Sequence, residues 1–412
     1  MANTLLTTAQ ITYEAAAVLM NSLVFAGKID RQYSDQFAMS GAKIGNQIHV
    51  RIPPRYIVGS GPVVTPQDIT ESYRTLTLNH QVNLALNYTS ADLTLSIDNF
   101  RDRIIRPAAV EVANEIDRLC LADVYSAVYN TMGAPGTLPA DSAVFLNGGA
   151  RLLDEATPDD DMWCSVVTPR TQASMVKALQ GLFNSQTMLA KQYMRGKMFD
   201  ALGFEWYHDQ NLPVHTVGPL GGSPTVNGAS QTGSSLITAA WTSAAANRLK
   251  KGDVFTIGSG ATGCYAVNPK NRRSTTELRQ FVVTADIDSD SGGAATLSIA
   301  PSIVPADASG NPTQFQTVVA SPAHGATINV LGAANTVTPQ NLLFHPKWAT
   351  LGFADLVLPK TGEAYRMQDK DLNISMRVWE SSDWLTDTHG VRLDVLFGII
   401  PIYPEWAVRV AS

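Results

Sequence analysis

Hydrophobic and polar residues alternate most regularly between Tyr73 and Tyr88. The hydrophobic positions of this stretch include Leu76, Leu78, Val82, Leu84 and Leu86. A period of two residues predicts a β-strand, because successive side chains of a strand point to opposite faces. At about 3.4 Å per residue the strand would be roughly 45 Å long, which is more than a sheet of ordinary size covers. We therefore expect an arm that lies on a neighbouring subunit, as in a protein whose role is assembly.

A second alternating stretch, residues 47–52, is joined to Tyr73 by a loop that contains Gly and Pro. Residues 47–93 are therefore predicted to form one extended hairpin arm. Upstream of the arm, apolar residues recur at helical spacing in residues 9–23, which predicts an N-terminal helix.

The longest helical pattern runs from Pro107 to Tyr129. Its apolar residues repeat at intervals of three and four positions: Ala109, Val112, Ile116, Leu119, Cys120 and Val128. Proline suits the first helical turn, because its missing N–H group would have no partner there. At about 1.5 Å rise per residue, this pattern predicts a rod of roughly 35 Å.

The pattern of hydrophobic and polar residues changes sharply at Gly218. Residues 150–215 mix short strand and helix patterns, whereas residues 218–339 show almost no helical periodicity. The latter segment consists of short strand patterns between clusters of Gly, Ser, Asn and Pro, which is typical of an all-β domain. Mixed texture returns at Leu342, and strand patterns dominate the end of the chain. We predict a barrel-like domain inserted into an α/β region.

The length of the chain predicts its number of domains, and its charge limits the kinds of partner that it can bind. At about 150 residues per domain, 412 residues predict two or three domains. Charged residues make up only 16%, against the usual 25% or so. Such a surface suits contacts between subunits, and it is equally compatible with an ordinary surface of uncharged polar residues. With a net charge of −6 and no long run of Lys or Arg, sequence-specific DNA binding is not expected.

The three cysteines are widely spaced, which predicts reduced thiols rather than a disulfide framework or a zinc site. The first ten residues carry no secretory signal pattern, and no apolar run reaches the roughly 18 residues of a membrane span. We expect a soluble protein that is made inside the cell and has no membrane association.

Two motifs resemble known kinds of binding site. Residues 258–263 match the GxGxxG dinucleotide fingerprint and follow a strand pattern, but the sequence after them is strand-like and then broken by Pro269. Nucleotide binding needs a helix N-terminus at that point, so a Gly-rich turn is predicted instead. The acidic run Asp159-Asp160-Asp161 follows a proline and has no spaced partner, which favours a solvated turn over a metal site.

Catalytic patterns are also missing from the sequence. The seven histidines are scattered, and the adjacent pair His208-Asp209 would face opposite ways on a strand. No GxSxG, Walker or SxxK motif occurs. We predict no catalytic, cofactor-binding or metal-binding residues, and hence no enzyme.

The order of the predicted elements is more specific than any single motif. An N-terminal helix, a long hairpin arm, a long helix, an α/β region, a β-rich insertion, an α/β return and a strand-rich tail follow one another. This order resembles the major capsid protein of tailed double-stranded DNA bacteriophages (the Johnson fold), in the podovirus coat-protein branch that has an inserted β-barrel domain. The matching stretches are residues 195–213, 251–255, 280–284, 343–346 and 393–398. The resemblance implies an α+β fold.

The resemblance also implies a division of the chain. The expected segments are an N-terminal arm (1–46), an extended loop (47–93), a peripheral domain with a spine helix (94–133 plus 374–412), an axial domain (134–217 plus 340–373) and an inserted β-barrel-like domain (218–339). By the same resemblance, the extended loop overlaps a neighbouring subunit. The residues predicted to form that inter-subunit contact are Leu76, Leu78, Val82, Leu84 and Leu86.

The implied function is that of a structural major capsid protein, which self-assembles into hexamers and pentamers of an icosahedral shell around the phage genome. The implied partners are copies of the chain, a scaffolding protein, a portal and packaged DNA without sequence preference. Assembly in the bacterial host cytoplasm and a final location in the virion would follow. An encapsulin-type compartment and a β-rich adhesin are the alternatives.

One departure from some capsids of this fold has a chemical consequence. Those capsids join subunits covalently through a lysine on the extended loop, but this chain has no lysine between Lys43 and Lys177. We therefore predict non-covalent assembly.

Overall fold

A computed structural model describes residues 15, 17–19, 22–33, 47–58, 66, 68–69, 71–89, 106–179, 200–243, 247–360, 362–369, 374–383 and 385–412. These residues belong to two compact units. The first unit comprises residues 1–50, 73–123 and 349–402, and the second comprises 51–72, 124–348 and 403–412. Parts of the predicted N-terminal helix and of the extended loop lie outside the described residues. The finer division into five segments stays a prediction.

The described chain is rich in strands and has few helices. In chain order the strands are β1 (Asp30–Tyr33), β2 (Gln47–Ile52), β3 (Ser72–Thr77), β4 (His80–Thr89), β5 (Thr131–Met132), β6 (Cys164–Val167), β7 (Asp200–Ala201), β8 (Phe204–His208), β9 (Val214–Thr216), β10 (Gly222–Val226), β11 (Gly233–Trp241), β12 (Val254–Ile257), β13 (Tyr265–Val267), β14 (Ser274–Leu278), β15 (Gln280–Val283), β16 (Ala295–Ile303), β17 (Ile328–Val330), β18 (Val337–Phe344), β19 (Ala349–Ala354), β20 (Glu363–Asp369), β21 (Ile374–Asp383), β22 (Thr388–Pro401) and β23 (Ala407–Ala411). The helices are α1 (Arg106–Val124), α2 (Ala143–Asp154) and α3 (Pro169–Leu179), with short 3₁₀ turns at Tyr125–Ala127, Gly260–Thr262, Pro346–Trp348 and Pro404–Trp406.

The first unit is built on a six-stranded sheet with the order β1-β19-β22-β21-β20, to which β4 adds by pairing with β22. Strand β4 runs antiparallel to β22 over its whole length, from His80 opposite Phe397 to Thr89 opposite Thr388. Apolar side chains that alternate along β22, among them Leu393 and Val395, are fully buried. The alternating pattern therefore does mark a strand, and one face of it belongs to a core of its own chain.

The prediction of a single continuous strand from Tyr73 to Tyr88 is wrong. The chain forms β3 and β4 instead, and it leaves the extended ladder at Leu78 and Asn79. At this point its backbone passes directly over Gly398 of β22, so close that a Cβ atom on Gly398 would clash with the carbonyl oxygen of Thr77. The pattern of alternation continues through the break because Leu76 and Leu78 are both buried by the crossing.

The spine helix begins where the sequence predicts and ends earlier. Pro107 lies in the first turn of α1, but the helix ends at Val124 rather than at Tyr129. A 3₁₀ turn follows, and Val128 is already extended, with φ −79° and ψ 117°. The carbonyl group of Asn130 accepts a hydrogen bond from the Arg409 N–H group (2.8 Å), so the chain has already joined a sheet there.

Buried Asp117 of α1 fixes the described end of the N-terminal segment. Its two carboxylate oxygens accept hydrogen bonds from the backbone N–H groups of Val24 (2.7 Å) and Ala26 (2.8 Å). The helical residues Ala15 and Leu19 just before this point are fully buried. One acidic side chain thus supplies two of the backbone partners that the segment needs after its helical turn.

The second unit contains a seven-stranded sheet with the order β5-β23-β18-β6-β8-β7, in which β9 also pairs with β18. Helix α2 and this sheet share a hydrophobic core that includes Phe145, Leu152, Trp206, Leu343 and Val408. Gly148 permits the close approach, because a Cβ atom there would clash with the side chain of Leu343.

The inserted segment, residues 218–339, forms a second sheet in the same unit, with the order β10-β11-β16-β15-β12-β17. The backbone of Val226 in β10 exchanges hydrogen bonds with Gly325 and Ala326 just before β17 (both 2.9 Å). The sheet therefore closes on itself around its own core, whose largest members are Trp241, Phe255 and Phe281. Closure removes the free sheet edges, as in a small barrel.

Candidate assembly surface

The five residues predicted to contact a neighbouring subunit are all at least half-buried by other residues of their own chain. Leu76, Leu78 and Val82 are buried, whereas Leu84 and Leu86 are half-buried. Three of them are register partners of apolar residues of β22: Val82 of Val395, Leu84 of Leu393 and Leu86 of Val391. These residues therefore contribute to the core of their own chain, and their role between subunits stays a prediction.

The connecting loop, residues 53–71 between the paired strands β2 and β3, has a different character. Its described large apolar side chains include three that are strongly exposed: Tyr56 (55%), Val58 (93%) and Ile69 (68%). Exposed apolar side chains gathered on one loop are a usual mark of a protein–protein contact. The sequence could have indicated them, because the loop has apolar residues with no helical or strand period to bury them.

The start of the connecting loop is held by polar contacts within the second unit. The Arg55 guanidinium lies 2.6 Å from Glu405 Oε1. The side-chain amide of Gln314 donates a hydrogen bond to the carbonyl oxygen of Arg55. Arg55 is thereby positioned through both its backbone and its side chain, three residues before Val58, the most exposed apolar side chain among the described residues of the loop.

A buried ion pair joins the inserted segment to the rest of the second unit. The Arg279 guanidinium lies 2.6 Å from Glu155 Oε1, and both side chains are 3% exposed. The guanidinium also lies over the ring of Tyr129, 4.7 Å from its centroid. Burial, the largest single effect, lowers the pKa of Arg279, but the charge and hydrogen bond of Glu155, together with Tyr129 and Glu405, raise the pKa above its ordinary value. Arg279 therefore stays charged in the interior.

Two further contacts lie beside this pair. The Gln280 side-chain amide pairs with the backbone of Thr131 as a residue of a neighbouring strand would. Its Oε1 accepts a hydrogen bond from the Thr131 N–H group (2.6 Å), and its Nε2 donates one to the Thr131 carbonyl (2.9 Å). The buried Arg151 side chain forms an ion pair with Glu277.

Histidine–carboxylate pairs form between residues far apart in sequence. His215 Nε2 lies 2.8 Å from Asp253 Oδ1, with both side chains buried. His80 pairs with Asp123 (2.6 Å), and buried His345 pairs with Asp160 of the acidic run (3.2 Å). No local spacing signals these pairs.

The GxGxxG residues form a turn, as predicted. A 3₁₀ turn of three residues, Gly260–Thr262, leads into β13 rather than into a helix. Gly258 has φ +66°, and a Cβ atom there would clash with the carbonyl of Thr262, so the turn itself requires the glycine.

The described ranges also bear on a metal site and on a membrane span. No group of three or more His, Cys, Asp or Glu residues there could hold a metal ion. The same part of the chain has no helix that is long and apolar enough to cross a membrane.

Comparison with known families decides between the remaining alternatives. The family model described as "P22 coat protein - gene protein 5" matches residues 1–410. The chain belongs to the P22 coat protein family. As a member of this family it is a major capsid protein, a structural component of the virion and not an enzyme. It builds capsid oligomers with copies of itself. The predicted resemblance and the α+β fold class are confirmed, and the compartment and adhesin alternatives are not favoured.

Solved structures similar to this coat protein come from bacteriophages and from a virus-like particle. One is from Mycobacterium phage Che8, with 12% identity, 94% of this chain and 90% of that chain covered, and a TM-score of 0.42. Another is the mature capsid of bacteriophage PhiM1, with 8% identity, 94% and 86% covered, and a TM-score of 0.44. A virus-like particle from Pyrococcus furiosus has 7% identity, 97% of both chains covered and a TM-score of 0.40. No curated protein sequence matches the chain.

Proposed function

We propose that this coat protein assembles into hexamers and pentamers that close an icosahedral shell around a phage double-stranded DNA genome. The observation that carries the proposal is the family match over residues 1–410. Identical subunits form closed assemblies through repeated, symmetry-related contacts, so one surface of each copy must fit another surface of the next. The connecting loop supplies such a surface.

The exposed apolar side chains of the connecting loop favour contact with a neighbouring copy, because that contact would bury them. Full burial of Val58 and Ile69 would stabilise a contact by about 1.5–3 kcal/mol each. Association costs on the order of 4–15 kcal/mol in lost freedom of motion. One loop is therefore too little alone, and the shell needs several such contacts per subunit. The half-buried Leu84 and Leu86 of β4 are further candidates for such contacts.

The partners of assembly follow from the same proposal. A scaffolding protein would guide the growing shell, a portal would occupy one vertex, and assembly would take place in the host cytoplasm. Contact with packaged DNA would be generic, because a chain of net charge −6 with no basic run provides few phosphate contacts. In this scheme the five segments keep their expected roles, with 1–46 as arm, 47–93 as overlapping loop and 218–339 as inserted domain.

The subunits would be held without covalent links, since residues 44–176 contain no lysine. Mature particles run on a denaturing gel should give a single band of 44.3 kDa. A ladder of covalent multimers would contradict this part of the proposal.

The function is tested by purifying the protein from cells that express it together with its neighbouring genes. Closed shells in negative-stain electron microscopy, with pentameric and hexameric units, are the expected result. Shells purified from infected cells should contain DNA that resists nuclease. Shells that hold an enzyme cargo and no DNA would instead favour a storage compartment.

A further inference from the structure

The turn between β10 and β11 of the inserted segment contains an exposed Asn-Gly pair, Asn227-Gly228. Such a pair can react with itself: the backbone nitrogen of the glycine attacks the side-chain amide carbon of the asparagine, ammonia leaves, and water opens the resulting cyclic imide. The attack needs an unobstructed nitrogen and a base that takes its proton. Gly228 has φ +102°, and a Cβ atom there would meet nothing closer than Gln231 Nε2 at 3.8 Å, so its surroundings are open.

A histidine lies beside the nitrogen that must lose its proton. The Gly228 N–H group donates a hydrogen bond to Nδ1 of His324 (3.0 Å). Because a backbone N–H group can only donate, Nδ1 is the acceptor, and the proton of the neutral imidazole is on Nε2. His324 is itself exposed, so it can pass the proton on to a leaving group or to solvent. The base is therefore already in contact with the proton that it would remove.

The carbonyl oxygen of the same peptide group has the complementary partner. Gln231 Nε2 donates a hydrogen bond to the carbonyl oxygen of Asn227 (2.9 Å). When the Gly228 nitrogen loses its proton, negative charge spreads to this oxygen, because the two atoms belong to one conjugated group. A donor at the oxygen stabilises that charge, as in an oxyanion hole. The Gln231 side chain is held in place by the backbone of Ile237, whose N–H group donates to Oε1 (2.7 Å) and whose carbonyl accepts from Nε2 (3.0 Å).

Closure of the inserted sheet brings His324 to this turn. The carbonyl of Val226 accepts a hydrogen bond from the Gly325 N–H group, and the Val226 N–H group donates one to the carbonyl of Ala326 (both 2.9 Å). Val226 directly precedes the Asn-Gly pair, and Gly325 directly follows the histidine. The contact between Gly228 and His324 thus joins residues 96 positions apart and is fixed by the sheet.

We propose that Asn227 is a self-modification site, which the folded chain converts to aspartate and isoaspartate with His324 as the base. His324 takes the proton of the Gly228 nitrogen, and this nitrogen forms a bond to the side-chain carbon of Asn227. The bond from that carbon to the NH2 group breaks, and the NH2 group takes up the proton and departs as ammonia. Water then opens the ring at either of its two carbonyl carbons. The net reaction consumes one water, releases one ammonia and changes the net charge of the subunit from −6 to −7.

The one other Asn-Gly pair of the sequence, Asn147-Gly148, is a reference within the same molecule. It lies inside α2, where backbone N–H groups donate to carbonyls four residues earlier, and Gly148 is buried. The helix thereby occupies the nitrogen that would have to attack. In the folded protein Asn227 should therefore react roughly tenfold faster than Asn147, or more. In the chain unfolded by urea the two pairs should react at similar rates.

The test is mass spectrometry of the full chain, kept folded at neutral pH for weeks and then digested. A mixture of aspartate and isoaspartate at Asn227 is expected, because only the ring intermediate gives both. His324→Gln keeps a hydrogen-bond acceptor but removes the base, so it should slow conversion at Asn227 about tenfold and leave Asn147 unchanged.

A purely structural role of His324 predicts the opposite sign. If its hydrogen bond only held the turn still, His324→Gln would loosen the turn, and conversion at Asn227 would be unchanged or faster. Either result would overturn the proposal. Aspartate without isoaspartate, or equal rates at Asn227 and Asn147 in the folded protein, would overturn it as well.

Discussion

Gly352 and Gly398 lie directly opposite each other in the ladder between β19 and β22. A Cβ atom on Gly352 would clash with the Leu76 side chain, and one on Gly398 would clash with the backbone of Thr77. The glycine pair therefore forms a shallow groove in the sheet in which the end of β3 lies. This groove is what buries Leu76 and Leu78 within their own chain.

Gly398→Ala should destabilise the folded chain, because the obstacle is backbone and cannot rotate away. We expect a loss of about 1–3 kcal/mol in the free energy of unfolding, as for other overpacked cores. Urea unfolding of the subunit measures it. Gly292→Ala is the matched control, because Gly292 lies on an exposed turn and a Cβ atom there would meet only the Asp290 side chain, at 3.4 Å; it should stay within about 0.5 kcal/mol of the wild type. Equal stability of the two variants would show that the crossing of β3 over β22 is not as described.

Glu155→Ala should be among the most damaging single changes in the second unit. It leaves the Arg279 guanidinium buried without its carboxylate, a situation that typically costs about 3–5 kcal/mol. Glu115→Ala removes an exposed partner of Arg118 on α1 and should cost only about 0.3–0.5 kcal/mol. Thermal unfolding of both variants checks the difference. A small effect of Glu155→Ala would mean that water reaches Arg279.

Asp209→Asn should change how stability depends on pH. Burial raises the pKa of Asp209, although the Asn211 N–H group donates a hydrogen bond to its Oδ1 (2.8 Å). The wild type is therefore favoured while this carboxyl is protonated, and that advantage is lost as the pH rises from its unfolded pKa of about 3.9 through its higher folded pKa. The variant should gain stability relative to the wild type over that range.

Asp307→Asn is the control of opposite sign. The Asn311 backbone N–H group donates a hydrogen bond to Asp307 (2.7 Å) and lowers the pKa of this exposed carboxyl. Its stabilising effect is present above the unfolded pKa and is lost as the pH falls through the lower folded pKa. The variant should therefore be less stable than the wild type above the unfolded pKa of about 3.9, and this difference should disappear as the pH falls through the folded pKa. The same trend with pH in both variants would contradict the assigned pKa directions.

Val82→Asp separates the role of β4 inside the subunit from its role between subunits. Val82 is buried opposite Val395, so a carboxylate there would lack both solvent and a partner. We expect less folded monomer as well as fewer shells. Recovery of normal amounts of folded monomer without shells would instead support the contact predicted from the sequence pattern.

Local patterns in the sequence predicted the helices and strands better than they predicted which distant residues contact each other. The alternation of residues marked β4 correctly, and Pro107 marked the start of α1, because both signals depend on neighbours in the chain. The break at Leu78 depends on Gly398, and the charge of Arg279 is balanced by Glu155, 124 positions away. Neither relationship has a local signature. The exposed apolar residues of the connecting loop do have a local signature, since they follow no helical or strand period that would bury them.

Electron microscopy of shells made by a loop variant tests most directly the claim that the connecting loop joins subunits. Val58 is 93% exposed, so Val58→Asp should leave the stability of the monomer unchanged. Expressed with the neighbouring genes, the wild type and Val58→Thr should give closed shells, whereas Val58→Asp should give soluble subunits and few shells. Closed shells from Val58→Asp in wild-type numbers would contradict the account.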